Sequence, residues 1–191
     1  MTTYKFFPQD IKHLSWNSKF DANWTVEVQT AGSGMSRSLT NQMYPRWTIT
    51  ESVGLIDDET ADKLLGFFNS LKGAYTPFYW YDHSKNHESN IQLPMTSPGV
   101  YQAVIKTGDY VEPAEYIEDV TVSVNGTEVE ASTYTVSAGS VRFKTAPATG
   151  AVVTASYKYW WLVRLSGSSI GITRIFENLN NSRTFKMEVV R

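Results

Sequence analysis

One segment of this 191-residue chain departs from the period of all the rest. Between Asp57 and Leu71 the apolar residues Ala61, Leu64, Leu65, Phe68 and Leu71 fall at i, i+3, i+4, i+7 and i+10, which is one face of an α-helix. Asp57, Asp58 and Glu59 stand in its opening turn, Lys72 in its last, and Gly73 just beyond, so the helix is expected over about 57–72. The other patterned segments read as strands, several of them with the period of two. One helix among many short strands excludes an all-α or doubly wound α/β fold and predicts a mainly β protein.

The strand signals fall in three groups. In the first, Trp24-Thr-Val-Glu-Val28 reads as a half-buried strand, Ala31-Gly-Ser-Gly-Met-Ser36 as a turn, and Arg46-Trp-Thr-Ile-Thr50 as another strand. After the helix, Thr76-Pro-Phe-Tyr-Trp-Tyr-Asp82 reads as a buried aromatic strand. Residues 83–100, rich in His, Ser, Asn and Pro, read as a loop or boundary. In the second group Val120, Val122 and Val124 alternate up to Asn125-Gly126. That dipeptide favours a two-residue hairpin turn because both positions need positive φ. Tyr134–Val136, Val141–Phe143 and Val152–Tyr157 continue the pattern, as a small β-sandwich would. The third group, Trp161–Leu165, Gly171–Phe176 and Thr184–Val190, matches the texture of the first. The expectation is a discontinuous β-sandwich or split-barrel domain carrying the helix, built from 1–93 and 160–191, with a small all-β domain inserted at 94–159.

Composition then narrows the chemistry. The 9 Phe, 6 Trp and 11 Tyr supply a large core. The absence of cysteine excludes disulfides, Cys-ligated zinc, iron–sulfur clusters and thiol catalysis. A net charge of −2, from 17 Lys+Arg and 19 Asp+Glu, gives no overall attraction to nucleic acid or anionic membrane. The first ten residues lack a basic start followed by an apolar run, and Tyr157–Val163 is far short of the ~20 residues that cross a bilayer. A chain made in the cytosol, without membrane insertion and with unmodified Asn23, Asn125 and Asn180, is expected.

Each pattern that suggests catalysis or ligand binding fails on its context. Gly167-Ser-Ser-Ile-Gly171 has the spacing of a nucleophile elbow around Ser169, but the segment after it reads as a strand and holds neither Asp nor His. Asp82, His83, His87 and Glu88 are metal-ligating types, yet Ser84, Lys85 and Asn86 between them read as a solvated loop. Glu112, Glu115, Glu118 and Asp119 would suit a glycosidase pair only inside a cleft; around Pro113 they read as solvated charges guarding a strand edge. The six tryptophans suit sugar stacking, but core and oligomer interface account for them better. Residues 160–191 hold Arg164, Arg174, Arg183, Lys186 and Arg191 against Glu177 and Glu188, while Asp57, Asp58, Glu59 and Asp62 make the helix start acidic. Opposite patches of that kind suit a head-to-tail contact between copies. No cofactor, metal or catalytic activity is expected.

Several stretches taken together resemble a known family. Phe7-Pro-Gln-Asp-Ile11, Tyr44-Pro-Arg-Trp47 and Leu65-Gly-Phe-Phe68…Gly73…Phe78-Tyr-Trp80-Tyr-Asp82 are followed by Val124-Asn-Gly126…Tyr134-Thr-Val136 and Ala146-Pro147…Gly150-Ala151…Tyr157. In this order they are similar to the distal tail protein of bacteriophages with long non-contractile tails, including its equivalent in gene transfer agents. The resemblance implies a structural virion protein of the tail: a hexameric ring joining the tail tube protein to the hub and tip proteins, with DNA passing through its centre. Phe7, Pro8, Asp10, Tyr44, Trp47, Trp80, Trp160, Trp161, Arg174 and Arg183 are the candidate assembly residues on this reading. The alternative is a carbohydrate-binding module that contacts host surface glycans through 101–159 or the Trp-rich strands.

Overall fold

The computed structural model describes residues 4–11, 18–167, 171–182 and 184–191. It is mainly β, with one α-helix among the described residues and several small sheets, none of them a closed barrel. The chain divides into two compact units, 1–78 with 163–190 and 79–162 with 191. The divisions therefore fall at 78/79 and 162/163 rather than at 93/94 and 159/160. Both 159/160 and 162/163 fall inside one unbroken strand, Val153–Leu165, in which Tyr159 to Val163 are buried at every position.

In the first unit Arg46–Glu51 lies between Lys19–Asn23 and Phe185–Val189, all antiparallel, and Val163–Leu165 pairs with the far side of Phe185–Val189. Alternation buries Ile49, Leu165, Phe185 and Met187 on one face. The helix Asp58–Ser70 buries Ala61, Leu64 and Phe68, and Leu71 just past it, as its period predicts. Asp57 caps it, accepting a hydrogen bond from the Thr60 N–H at 2.8 Å. The helix stops earlier than expected. Lys72 (φ 57°) and Gly73 (φ 65°) are left-handed, so Lys72 belongs to the reversal and not to the last turn. Phe68 sits 5.2 Å from Phe185 and 5.4 Å from Phe67, ring centroid to centroid, and Phe7 and Phe78 complete the cluster in edge-on and tilted contacts.

A second layer of this unit is the hairpin Ile172–Phe176/Leu179–Ser182, whose second strand pairs with Leu55–Ile56. Buried side chains lock it. Asn180 donates to Asp58 Oδ1 at 2.6 Å, the Asp58 N–H donates to Asn178 Oδ1 at 3.1 Å, and Ser182 Oγ bridges the N–H and carbonyl of Val53.

In the second unit Val153–Leu165 pairs with His87–Gln92 on one side and Tyr116–Val124 on the other. Tyr116–Val124 turns through Asn125-Gly126 (φ 51° and 81°) into Thr127–Glu128, the hairpin the dipeptide predicted. Tyr134–Ser137, Ser140–Phe143, Val100–Gln102 and Met95–Ser97 form a second sheet, and Val104–Thr107 pairs with Tyr110–Pro113. The expected loop at 83–100 thus contains two strands. His87–Gln92 is polar because it pairs along one edge only and leaves most side chains in water. Asn90 (φ 49°) marks an irregularity there, its N–H held by Ser156 Oγ at 2.9 Å.

Candidate assembly surface

The candidate assembly residues divide by exposure. Phe7, Trp80, Trp160 and Trp161 are buried, at 2%, 0%, 2% and 8%, so they are core and not available to a neighbour; strand alternation could not distinguish the two. Pro8, Tyr44 and Trp47 are half-buried. Asp10 is exposed and pairs at 3.3 Å with Lys63, which also bridges to Glu59 at 2.9 Å. Arg174 is exposed, and Arg183 lies outside the described residues. The same burial removes Trp80, Trp160 and Trp161 as sugar platforms; Trp24, at 46%, is the exposed tryptophan among the described residues.

The surface that stands out is one the alternation of 24–28 pointed to with the wrong burial. Every residue from Ala22 to Asn41 is exposed, a run of 20. Within it Glu27–Thr30 and Ser36–Leu39 form a two-stranded hairpin whose outer edges pair with no strand of the described residues. The strand expected at Trp24–Val28 begins only at Glu27, and instead of being half-buried it is exposed on both faces. The turn is ordered by Ala31 N–H to the Met35 carbonyl (2.8 Å) and Gly34 N–H to the Ala31 carbonyl (2.9 Å), with Gly34 at φ 82°, where a side chain would be strained. Gln42 fastens the base, its Oε1 accepting from the Thr25 N–H at 2.6 Å.

The two faces of the hairpin differ. Val28 stands opposite Ser38 and Thr30 opposite Ser36, giving one small, uncharged face. Glu27 opposite Leu39 and Gln29 opposite Arg37 put one acid, one base and an exposed leucine on the other, with Met35 in step beyond. An isolated two-stranded hairpin is marginal in water.

Exposed apolar residues are concentrated in the same unit. Among the described residues eleven of the fifteen large ones belong to it: Phe6, Trp24, Val26, Val28, Met35, Leu39, Met43, Leu55, Tyr75, Ile175 and Phe176. Ile175 and Phe176 lie together on the locked hairpin beside the helix start, where Asp58, Arg174, Ile175, Phe176 and Glu177 line a shallow depression of about 320 Å³; Leu55 is exposed on the strand that pairs with the far side of Leu179–Ser182. Asp58 and Glu177 therefore share this depression with Arg174. Arg164 is balanced by Glu188 at 3.6 Å and Arg191 by Glu112.

The remaining sequence patterns have structural roles. Asp82 accepts hydrogen bonds from Ser84 N–H and Oγ, both 2.8 Å, closing a turn, while His87 opens the edge strand. Ser169 lies outside the described residues, and Gly171 leads into a strand with no helix of the elbow kind. Glu112 is not solvated: it is 2% exposed and held by Arg191 and by Tyr110 Oη at 3.3 Å. Asp119 is exposed and bridges to Lys158 at 2.7 Å across an irregularity in the ladder.

Half-buried Glu115 titrates abnormally, since burial pushes its carboxyl above the ordinary value and Arg191 opposes the shift. A carboxyl raised in the folded chain holds its proton more tightly there than when unfolded. Its contribution to stability is present below the unfolded value and lost as pH rises through the folded one. Glu115→Gln should therefore raise the melting temperature near neutral pH. The gain should disappear at pH ~3, where both states are protonated; calorimetry across that range checks it.

No protein-family model matches the chain, and no curated protein matches it. Among the described residues no helix is long and apolar enough to cross a membrane.

Proposed function

We propose that this chain is a structural subunit of a phage-type tail end: a distal tail protein that forms a six-membered ring between tail tube and hub and lets DNA pass through its centre. The observation that carries the reading is the run of exposed residues from Ala22 to Asn41, an ordered hairpin with open edges and apolar side chains on both faces. A sheet so exposed gains stability only when another chain covers it. Eleven exposed apolar side chains in the same unit support an assembly role for that unit. The order of the segments similar to distal tail proteins supplies the tail, its tube and hub partners, and the virion as the location. A net charge of −2 suits a conduit, because a strongly basic lining would hold passing DNA by its phosphates.

The chain acts in this reading by being covered, not by bond-breaking chemistry. Purified protein is expected to form closed six-fold rings, seen directly by electron microscopy and as a sixfold mass by light scattering. A species that stays at 21.5 kDa at every concentration, with tube and hub proteins added, would overturn it.

A further inference from the structure

We propose that the Glu27–Thr30/Ser36–Leu39 hairpin is an arm received by a second copy of this chain, at the depression lined by Asp58, Arg174, Ile175, Phe176 and Glu177 beside the helix start. The inference rests on the ring reading and names which two surfaces meet.

Size supports it first. The arm offers 20 consecutive exposed residues, and a stable protein interface uses about 20–30 residues a side. Charge supports it next. The mixed face of the arm carries Arg37 between Met35 and Leu39, with Glu27 opposite Leu39. The receiving depression carries Asp58, Glu177 and Arg174 beside Ile175 and Phe176, exposed by 42% and 74%. Arg37 meets the acids, Glu27 meets Arg174, and leucine and methionine cover the aromatic ring. Each side thus combines exposed apolar side chains with both signs of charge, so the two can pair opposite charges while covering apolar surface.

A larger concavity fits the arm poorly. A groove of about 530 Å³ in the second unit is lined by residues such as Pro94, Met95, Tyr101, Pro147 and Val152, with no charged side chain at all. It would leave Glu27 and Arg37 desolvated without partners. The receiving face is also rigid before contact, because Asn180 and Ser182 fix its hairpin to Asp58 and Val53. Little ordering is then needed on that side. Arm and receiver are different surfaces, which is what a head-to-tail contact, the type that closes rings, requires.

Complementary charge reversal tests the pairing. Arg37→Glu puts acid against acid, and Glu177→Arg puts base against base; both side chains are exposed, so folding should be unchanged by circular dichroism. Each variant alone should assemble roughly tenfold or more weakly than the original chain. Mixed in equal amounts the two should recover rings, since each arm then faces an opposite charge, and the double variant R37E/E177R should recover them alone. Leu39→Ser and Phe176→Ser should weaken assembly and not be rescued by mixing. Rings indifferent to these changes, or charge variants that fail to recover on mixing, would overturn the arm and leave the ring reading standing. An original chain that never leaves 21.5 kDa would overturn both. Intact rings that lose only tube-protein binding would assign the arm to that partner and overturn the pairing.

Discussion

Phe68→Ala is expected to lower stability by about 3–5 kcal/mol, the range for deleting a buried phenyl ring that cannot be refilled. Phe68 is 4% exposed and touches rings on both sides: Phe185 of the sheet at 5.2 Å, Phe67 at 5.4 Å, Phe78 at 6.1 Å and Phe7 at 6.2 Å. Four of its neighbours are planar and cannot flow into the space, so the cavity persists. The melting temperature should fall by about 10 °C. Amide exchange should quicken in the helix and in Phe185–Val189. Gly66→Ala gives the comparison within the same helix. Its added methyl meets nothing within 4 Å, and replacing glycine in a helix interior should stabilise by about 0.5–1 kcal/mol. A Phe68→Ala chain that melts as the original does would mean that the aromatic cluster does not hold the helix to the sheet.

Gly139→Ala should also be strongly damaging, for a steric reason. Ala138 and Gly139 form the two-residue turn between Tyr134–Ser137 and Ser140–Phe143, with Ala138 at φ 50°. A methyl on Gly139 would stand 1.7 Å from the Ala114 carbonyl oxygen, a backbone atom that cannot swing aside, and 2.9 Å from Gln102 Nε2. The turn is also a hydrogen-bond hub. The Gly139 carbonyl accepts from Ala103 N–H at 2.8 Å and from Gln102 Nε2 at 3.0 Å, and the same amide of Gln102 donates to the Ala114 carbonyl at 3.0 Å. Moving the turn to clear the methyl breaks these bonds together. A loss of about 3 kcal/mol is expected, the upper end for overpacking, and is measurable by urea unfolding. An unchanged midpoint would mean that the close approach of this turn to Ala114 is wrong.

These two positions also mark what sequence does and does not reveal. The helix was legible because its period is set by the chain's own geometry and its cap by Asp57. The Asn125-Gly126 turn was legible because two adjacent positive φ values leave few residue choices. Gly139, by contrast, looked like any Ser-Ala-Gly-Ser turn, since its importance lies in Ala114, distant in sequence. Burial was the least legible property. Alternation in Trp24–Val28 says that two faces differ, not that anything in the chain covers either one. The same ambiguity let Trp80 and Trp160 pass as surface anchors when they fill the core. Glu112 misled in the opposite direction: its acid neighbours suggested solvent, whereas Arg191 brings the opposite charge from 79 residues away. Polar His87–Gln92 read as loop because an edge strand need satisfy the hydrophobic pattern only weakly.

The exposed hairpin with two vacant rims has a cost outside assembly. Rows of unsatisfied amide and carbonyl groups are templates for indiscriminate stacking, and Glu27 and Arg37 are the ionised groups on its two strands to discourage it. Such contacts stop growing only when the geometry brings the last member back to the first; otherwise the same stickiness propagates without limit into a filament. On the ring reading, crowded, newly made copies choose between a circle and a thread, and the curvature of the first few contacts decides which one forms.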